Sequence, residues 1–216
     1  MAIKAVLFDF WGTLVENGVF PSPVKQVKYI LRINVPFVEY IHRFESSFMT
    51  SQFDTLSDAF KNVAAEFKLN PPDFVIDKLV GMWNKNTLLA KPFEDTIETL
   101  KELRKKGMKI CLISNTDQFS VNQVIDKYDL KELFDEIVLS CDVGMLKSDP
   151  KMFKTALKRL GVKEEEVIMV GDSIESDVKG AKNAGIRPFL LDRKDRRDHQ
   201  DKIVALDDLM PIIGDQ

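Results

Sequence analysis

Several acidic and polar residues of this chain stand at the ends of apolar runs. Asp9 closes "IKAVLFD", Ser114 and Asn115 close "MKICLISN", and Asp172 closes "EVIMVGD", with Ser173 and Asp177 just beyond. Lys147 lies within "GMLKSDP". Two or three carboxylates with backbone oxygens are the ligand set of Mg²⁺, a hard octahedral ion that keeps waters and takes phosphate oxygens. An ammonium, a serine hydroxyl and helix N-terminal amides are what a phosphate needs in order to be held and neutralised. Each residue taken alone has an ordinary structural role: a strand-terminal Asp caps a helix, and Ser-Asn is common turn chemistry. They become a site only if the strands that carry them are neighbours.

The elements around them point that way. From about Phe93 onward, short β-rich runs alternate with helical patterns. A helix near Glu94 to Lys106 stops at Gly107 before the strand "MKICLIS"; a helix near Phe119 to Tyr128 precedes the strand "EIVLS". Then "DPKMFKTALKRLG" places Pro150 in a first helical turn and Gly161 at a C-terminal stop, followed by "EVIMVGD", the helical "ESDVKGAKNAG" and the strand "RPFLL". With the N-terminal strand this predicts an α/β fold of the Rossmann-like, doubly wound type, a parallel sheet of about five strands covered on both faces. In such a sheet ligands bind outside the carboxyl ends of the strands, where the polar residues lie.

Between roughly Glu16 and Lys91 the periodicity becomes helical throughout. Val24, Val27 and Leu31 form one stripe after Ser22 and Pro23; Phe37, Tyr40, Ile41, Phe44 and Phe48 form a second. Leu56, Ala59, Phe60, Val63, Ala64 and Phe67 form a third, and Ile76, Leu79, Val80 and Trp83 a fourth after Pro71 and Pro72. The expectation is an all-helical unit over residues 16–91, inserted into a discontinuous core of residues 1–15 and 92–216.

Composition narrows the function classes. The chain has 216 residues, 44% of them hydrophobic, enough for one good core and a smaller unit. A net charge of -3 with interspersed signs argues against nucleic acid as a partner, and "DRKDRRDHQD" reads as a solvated loop. Cys111 and Cys141 do not make a disulfide framework, which fits a reducing cytoplasm. The sequence holds neither an export signal nor the roughly 18 uninterrupted apolar residues that span a bilayer, so no membrane partner is expected.

Taken together and in order, the motifs resemble those of the haloacid dehalogenase superfamily of hydrolases. "VLFDFWGTL" is similar to its first motif, a strand followed by Asp-x-Asp-Gly-Thr, and "ICLISN" to its second. "GMLKSDP" resembles the lysine motif with Ser148 in place of the usual proline, and "VIMVGDSIESD" the metal motif with both acids present. The helical block matches the position of the superfamily's helical cap of the first type. The resemblance implies that Asp9 is the nucleophile, attacking phosphorus in line to give an aspartyl phosphate. It implies that Ser114 and the backbone of Asn115 hold phosphoryl oxygens and that Lys147 neutralises charge on the nucleophile and the phosphoryl group. Asp9, Asp172, Asp177 and the backbone carbonyl of Trp11 would bind Mg²⁺, while Gly12 permits the turn after the nucleophile and Thr13 ties it down.

Trp11 departs from the pattern. The superfamily's phosphatases carry there a second aspartate that protonates the leaving oxygen and then activates water, and an indole does neither. Losing that group costs about 10² to 10⁴ in rate, so the resemblance implies a phosphatase slow on poor leaving groups. A leaving group that needs no proton would escape this, as would a replacement such as Glu16 or His42. Haloacid dehalogenases, which attack carbon, carry an aromatic residue at that position but lack the acid corresponding to Asp172. A metal-dependent hydrolase of a small phosphorylated metabolite therefore ranks first, ahead of a dehalogenase and of a catalytically silent phosphate or phosphoprotein binder.

Overall fold

The computed structural model describes residues 2–214; residues 1, 215 and 216 of the expected core lie outside the described residues. The chain opens with β1 (Ala5–Phe8) and, after a tight turn, the two-residue β2 (Val15–Glu16). Four helices follow: α1 (Pro23–Ile30), α2 (Phe37–Phe48), α3 (Leu56–Glu66) and α4 (Asp73–Leu89). The chain returns through β3 (Lys91–Pro92), which pairs antiparallel with β2. The alternating part then runs α5 (Thr96–Lys105), β4 (Lys109–Ser114), α6 (Val121–Lys127), β5 (Glu136–Leu139), α7 (Ser140–Val143) and α8 (Pro150–Leu160). It ends with β6 (Val167–Gly171), α9 (Lys179–Asn183), β7 (Arg187–Leu191), β8 (Lys202–Ile203) and α10 (Leu209–Ile213).

The main sheet has six strands in the order β5-β4-β1-β6-β7-β8, all paired in parallel. That is one strand beyond the five expected, because β8 adds two residues alongside β7, too short a run to show a period in sequence. β2 and β3 escaped notice for the same reason. The β1, β4 and β6 side chains alternate between two apolar layers. Val6, Phe8, Ile110, Leu112, Ile168 and Val170 meet α5, α6 and α10 on one face; Ala5, Leu7, Cys111, Ile113, Val167 and Met169 meet α8 and α9 on the other. The alternation explains why these strands read as unbroken hydrophobic runs.

Local signals behave largely as their chemistry dictates. Asp149 caps α8 by accepting from the Lys151 amide at 2.9 Å, Pro150 opens the helix and Gly161 closes it at φ +65°. Ser22 differs: its side chain makes no capping bond, and α1 starts on Pro23. The segment expected as one helix after Asp172 instead forms a wide π-helical turn over Ile174–Val178 before α9. Cys111 and Cys141 are both free and buried. Among the described residues no helix is long and apolar enough to cross a membrane.

Helices α1 to α4 bury an apolar cluster of their own around Tyr40, Phe44, Phe48, Phe60 and Trp83, joined by Leu146 from the segment before α8. Trp83 packs edge-on against Phe48 with ring centroids 4.9 Å apart. Its indole nitrogen donates to Asp117 Oδ2 at 3.1 Å, in the loop after β4. Asp117 also accepts from the Phe119 and Ser120 amides and from Ser120 Oγ, at 2.8, 3.0 and 2.6 Å. Asp117→Ala would strand these buried donors, and a loss on the order of 3 kcal/mol in unfolding free energy is expected. Urea unfolding of Asp117→Ala beside Asp117→Asn, which keeps an acceptor oxygen, measures it; equal stabilities for the two would refute the acceptor role.

Candidate active site

The sheet order places β1 between β4 and β6, and their registers pair Phe8 with both Leu112 and Val170. The residues beyond those pairs, Asp9, Ser114 and Asp172, therefore emerge at one edge. Asp9 keeps its amide in the ladder, donating to the Val170 carbonyl at 3.0 Å, and its side chain is almost wholly buried. The chain then reverses on Phe10, whose carbonyl accepts from the Thr13, Leu14 and Val15 amides. Gly12 sits in that turn at φ +82°, and a Cβ there would overlap the Asp172 carboxylate, so left-handed backbone and close approach both require glycine. Thr13 Oγ1 donates to Asp9 Oδ2 at 3.2 Å.

Lys147 supplies the positive charge. Its Nζ donates to Asp9 Oδ1 at 2.6 Å and to Asp177 Oδ1 at 2.5 Å, and the side chain is 1% exposed. Burial works against the ammonium, but Asp177 and Asp9 outweigh it and hold Lys147 above the ordinary lysine range. Asp177 Oδ2 accepts the Ser173 amide at 2.9 Å. Its carboxylate presses on Gly171, where any Cβ would collide with it. Ser114 Oγ, fully buried, lies 3.5 Å from Asp9 Oδ1.

Carboxylate oxygens of Asp9, Asp172 and Asp177 lie within 4.8 Å of one another. One ammonium does not balance three acids. Burial, reinforced by the charges of Asp9 and Asp177, pushes the Asp172 carboxyl up to about 8. Burial likewise raises Asp177 to about 6, against the pull of Lys147. Among the described residues nothing donates a hydrogen bond to the Asp172 carboxylate or to the Trp11 carbonyl oxygen. Hard oxygen donors with surplus negative charge are the chemistry that a divalent cation such as Mg²⁺ satisfies, so these residues fit one.

Trp11 is fixed rather than loose. Its indole nitrogen donates to Thr116 Oγ1 at 3.3 Å and its ring meets Phe10 edge-on at 5.1 Å. Of the two replacements considered for the acid it displaces, Glu16 lies on the β2–β3 ribbon, 3.6 Å from Lys91, and does not line the cleft. His42 does line it, as an exposed residue of α2. The cleft, of about 600 Å³, opens above Asp9, Lys147 and Asp172, with α2 contributing Phe37, Ile41, His42 and Glu45. Sequence reading missed Glu45, although it follows His42 by one turn and interrupts an aromatic stripe.

The basic loop after β7 is not the freely solvated segment its composition suggests. Asp192 is buried and accepts the Arg196 and Arg197 amides at 2.7 and 2.6 Å. Arg193 grips both Asp95 oxygens at 2.9 Å, lies 3.9 Å over the Phe93 ring and donates to the Thr13 carbonyl at 2.9 Å. Arg197 donates to the Asp172 carbonyl. The arginines brace both acidic turns from behind.

The model of the haloacid dehalogenase-like hydrolases matches residues 3–185. Glyceraldehyde 3-phosphate phosphatase of Methanothermobacter thermautotrophicus is 28% identical, with 97% of this chain and 98% of that protein covered. Pyrophosphatase PpaX of Bacillus cereus is 35% identical over 87% of this chain and 82% of its own length. The crystal structure of a HAD phosphatase from Thermococcus onnurineus superposes with a TM-score of 0.67 at 26% identity, covering 99% of each chain. With the family model spanning the strand that ends in Asp9, the helical insertion and the turn that carries Asp177, this chain belongs to the haloacid dehalogenase-like hydrolases.

Proposed function

We propose that the protein is a divalent-cation-dependent phosphohydrolase that acts through Asp9 on small phosphorylated metabolites. The observation that carries this reading is the Asp172 carboxylate, close to two other acids and without a hydrogen-bond donor of its own. Chemistry on a halogenated carbon leaves that third acid with nothing to compensate it, whereas a cation and a phosphoryl group employ it. Relatives named as phosphatases support the same choice.

In this reading an Asp9 oxygen forms a bond to phosphorus as the ester P–O bond breaks, and water later cleaves the aspartyl phosphate. Lys147 holds charge on Asp9 and on the phosphoryl oxygens, and Ser114 with the Asn115 backbone holds a further oxygen. Asp9, Asp172, Asp177 and the Trp11 carbonyl would hold Mg²⁺, which when bound offsets the negative charge of nucleophile and phosphoryl group. Residues 16–91 act as a cap over a core of residues 1–15 and 92–216, excluding water and selecting the leaving group through α2. Trp11 removes the proton carrier from its usual place, so the rate on poor leaving groups depends on what else the cleft supplies.

Mg²⁺-supported release of phosphate from p-nitrophenyl phosphate, abolished by chelation and reduced to background in Asp9→Asn, is the expected result. Chloride release from 2-chloropropionate that survives chelation would sink this reading. The acid cluster gives a second expectation, in stability. In the metal-free fold Asp172 is raised from 3.8 to about 8, so wild type must ionise a carboxyl at a cost that the unfolded chain does not bear. With chelator present, Asp172→Asn should therefore melt above wild type, by a margin that opens as pH rises from about 4 to about 8. Added Mg²⁺ should close the margin; melting curves whose difference ignores both pH and Mg²⁺ would remove Asp172 from the proposed cation site.

A further inference from the structure

One carboxyl group in the cleft has no task in this scheme. Glu45 projects from α2, half-buried, into the same cleft as Asp9, Trp11 and Lys147. Asn115 Nδ2 donates to Glu45 Oε2 at 2.9 Å, and Asn115 Oδ1 accepts the Lys147 amide at 2.8 Å. A single asparagine thus fastens Glu45 to the backbone of the residue whose ammonium grips Asp9. The neighbouring indole of Trp11 is engaged by Thr116 and Phe10 and carries no proton that titrates near neutrality.

We propose that Glu45 is the proton donor and acceptor of the reaction, supplied by the helical block in place of the carboxyl group that Trp11 displaces. The proposal rests on the phosphohydrolase reading. In the first step the Glu45 carboxyl gives its proton to the leaving oxygen as the ester P–O bond breaks and Asp9 bonds to phosphorus, and the alcohol departs. In the second, the Glu45 carboxylate takes a proton from water as the water oxygen bonds to phosphorus and the Asp9–phosphorus bond breaks. Inorganic phosphate leaves, and Asp9 and Glu45 return to their starting states.

The surroundings suit both halves of that cycle. Burial pushes the Glu45 carboxyl up to about 7; Lys147 and the Asn115 hydrogen bond pull it down, and the charges of Asp177 and Asp9 add to the rise. A group that is half protonated near neutrality gives and takes a proton with comparable ease. The other charged or titratable groups facing this cleft are His42 on α2 and, from the core, Asp172 and Glu175. Among the described residues the Asn115 side chain bonds Glu45 and the Lys147 amide, and neither His42 nor Glu175.

The full chain with Mg²⁺ tests this on an alkyl ester, β-glycerol phosphate, and on p-nitrophenyl phosphate, whose leaving group needs no proton. Glu45→Gln keeps an oxygen for Asn115, so its kcat/KM, which reports the step that expels the leaving group, should fall about 100-fold on the alkyl ester but less than about 10-fold on the aryl one, while kcat falls on both as hydrolysis of the common aspartyl phosphate slows. Wild-type kcat/KM on the alkyl ester should decline above pH about 7 as the donor ionises; Glu45→Gln should lose that limb. Glu45→Asp and His42→Gln should retain it. Equal losses of kcat/KM on both substrates, or a pH limb that persists in Glu45→Gln or disappears in His42→Gln, would overturn the assignment. Failure of the wild type to release phosphate from either ester would instead overturn the phosphohydrolase reading itself.

Discussion

The buried ammonium of Lys147, in contact with both Asp9 and Asp177, is the interaction on which the rest of the structure depends. Parallel strands β1 and β6 lie side by side and end in acids, so the fold forces carboxylates together where water is scarce. Without a cation between them their repulsion and desolvation would oppose folding. Much of the surrounding detail serves to deliver that cation. Asn115 Oδ1 fixes the Lys147 amide, and α9 approaches the Lys147 carbonyl so closely that only glycine fits at Gly180.

The same constraint accounts for the glycines of the acidic turns. Gly12 and Gly171 lie where the carboxylates of Asp172 and Asp177 already fill the space of a side chain. The site is therefore packed around charge, and its balance is incomplete: Lys147 touches two acids, and among the described residues nothing donates a hydrogen bond to the Asp172 carboxylate. Hard oxygen donors with that surplus of negative charge fit a divalent cation.

Three of the polar links between the helical block and the core begin in the loop after β4. Asn115 reaches Glu45, Asp117 reaches Trp83, and the Gln118 side chain exchanges two bonds of 2.9 Å with the Phe53 backbone. Three neighbouring residues thus tie α2, the segment before α3 and α4 to the loop beside Asp9. A helix placed in this way brings Glu45 into the cleft lined by Asp9, Lys147 and Asp172. On the far side, Arg193 and Arg197 hold the carbonyls of Thr13 and Asp172, so the acidic turns are braced from two directions.

The sequence by itself determined the strands, their burial on both faces and the residues that end them, because apolar runs and alternating helical periods are local properties. It also marked Asp9, Ser114, Lys147, Asp172 and Asp177 as one set, by their order along the chain. Elements of two residues, such as β8 and the β2–β3 ribbon, lay below what periodicity resolves. The run from Asp192 to Asp201 looked solvated because composition does not reveal which arginines find a buried acid or a backbone carbonyl. Only the tertiary structure decided that Glu45, rather than Glu16, lines the cleft that holds Asp9. That outcome depends on how α2 packs against the loop after β4, a contact across 70 residues of chain that no local pattern encodes.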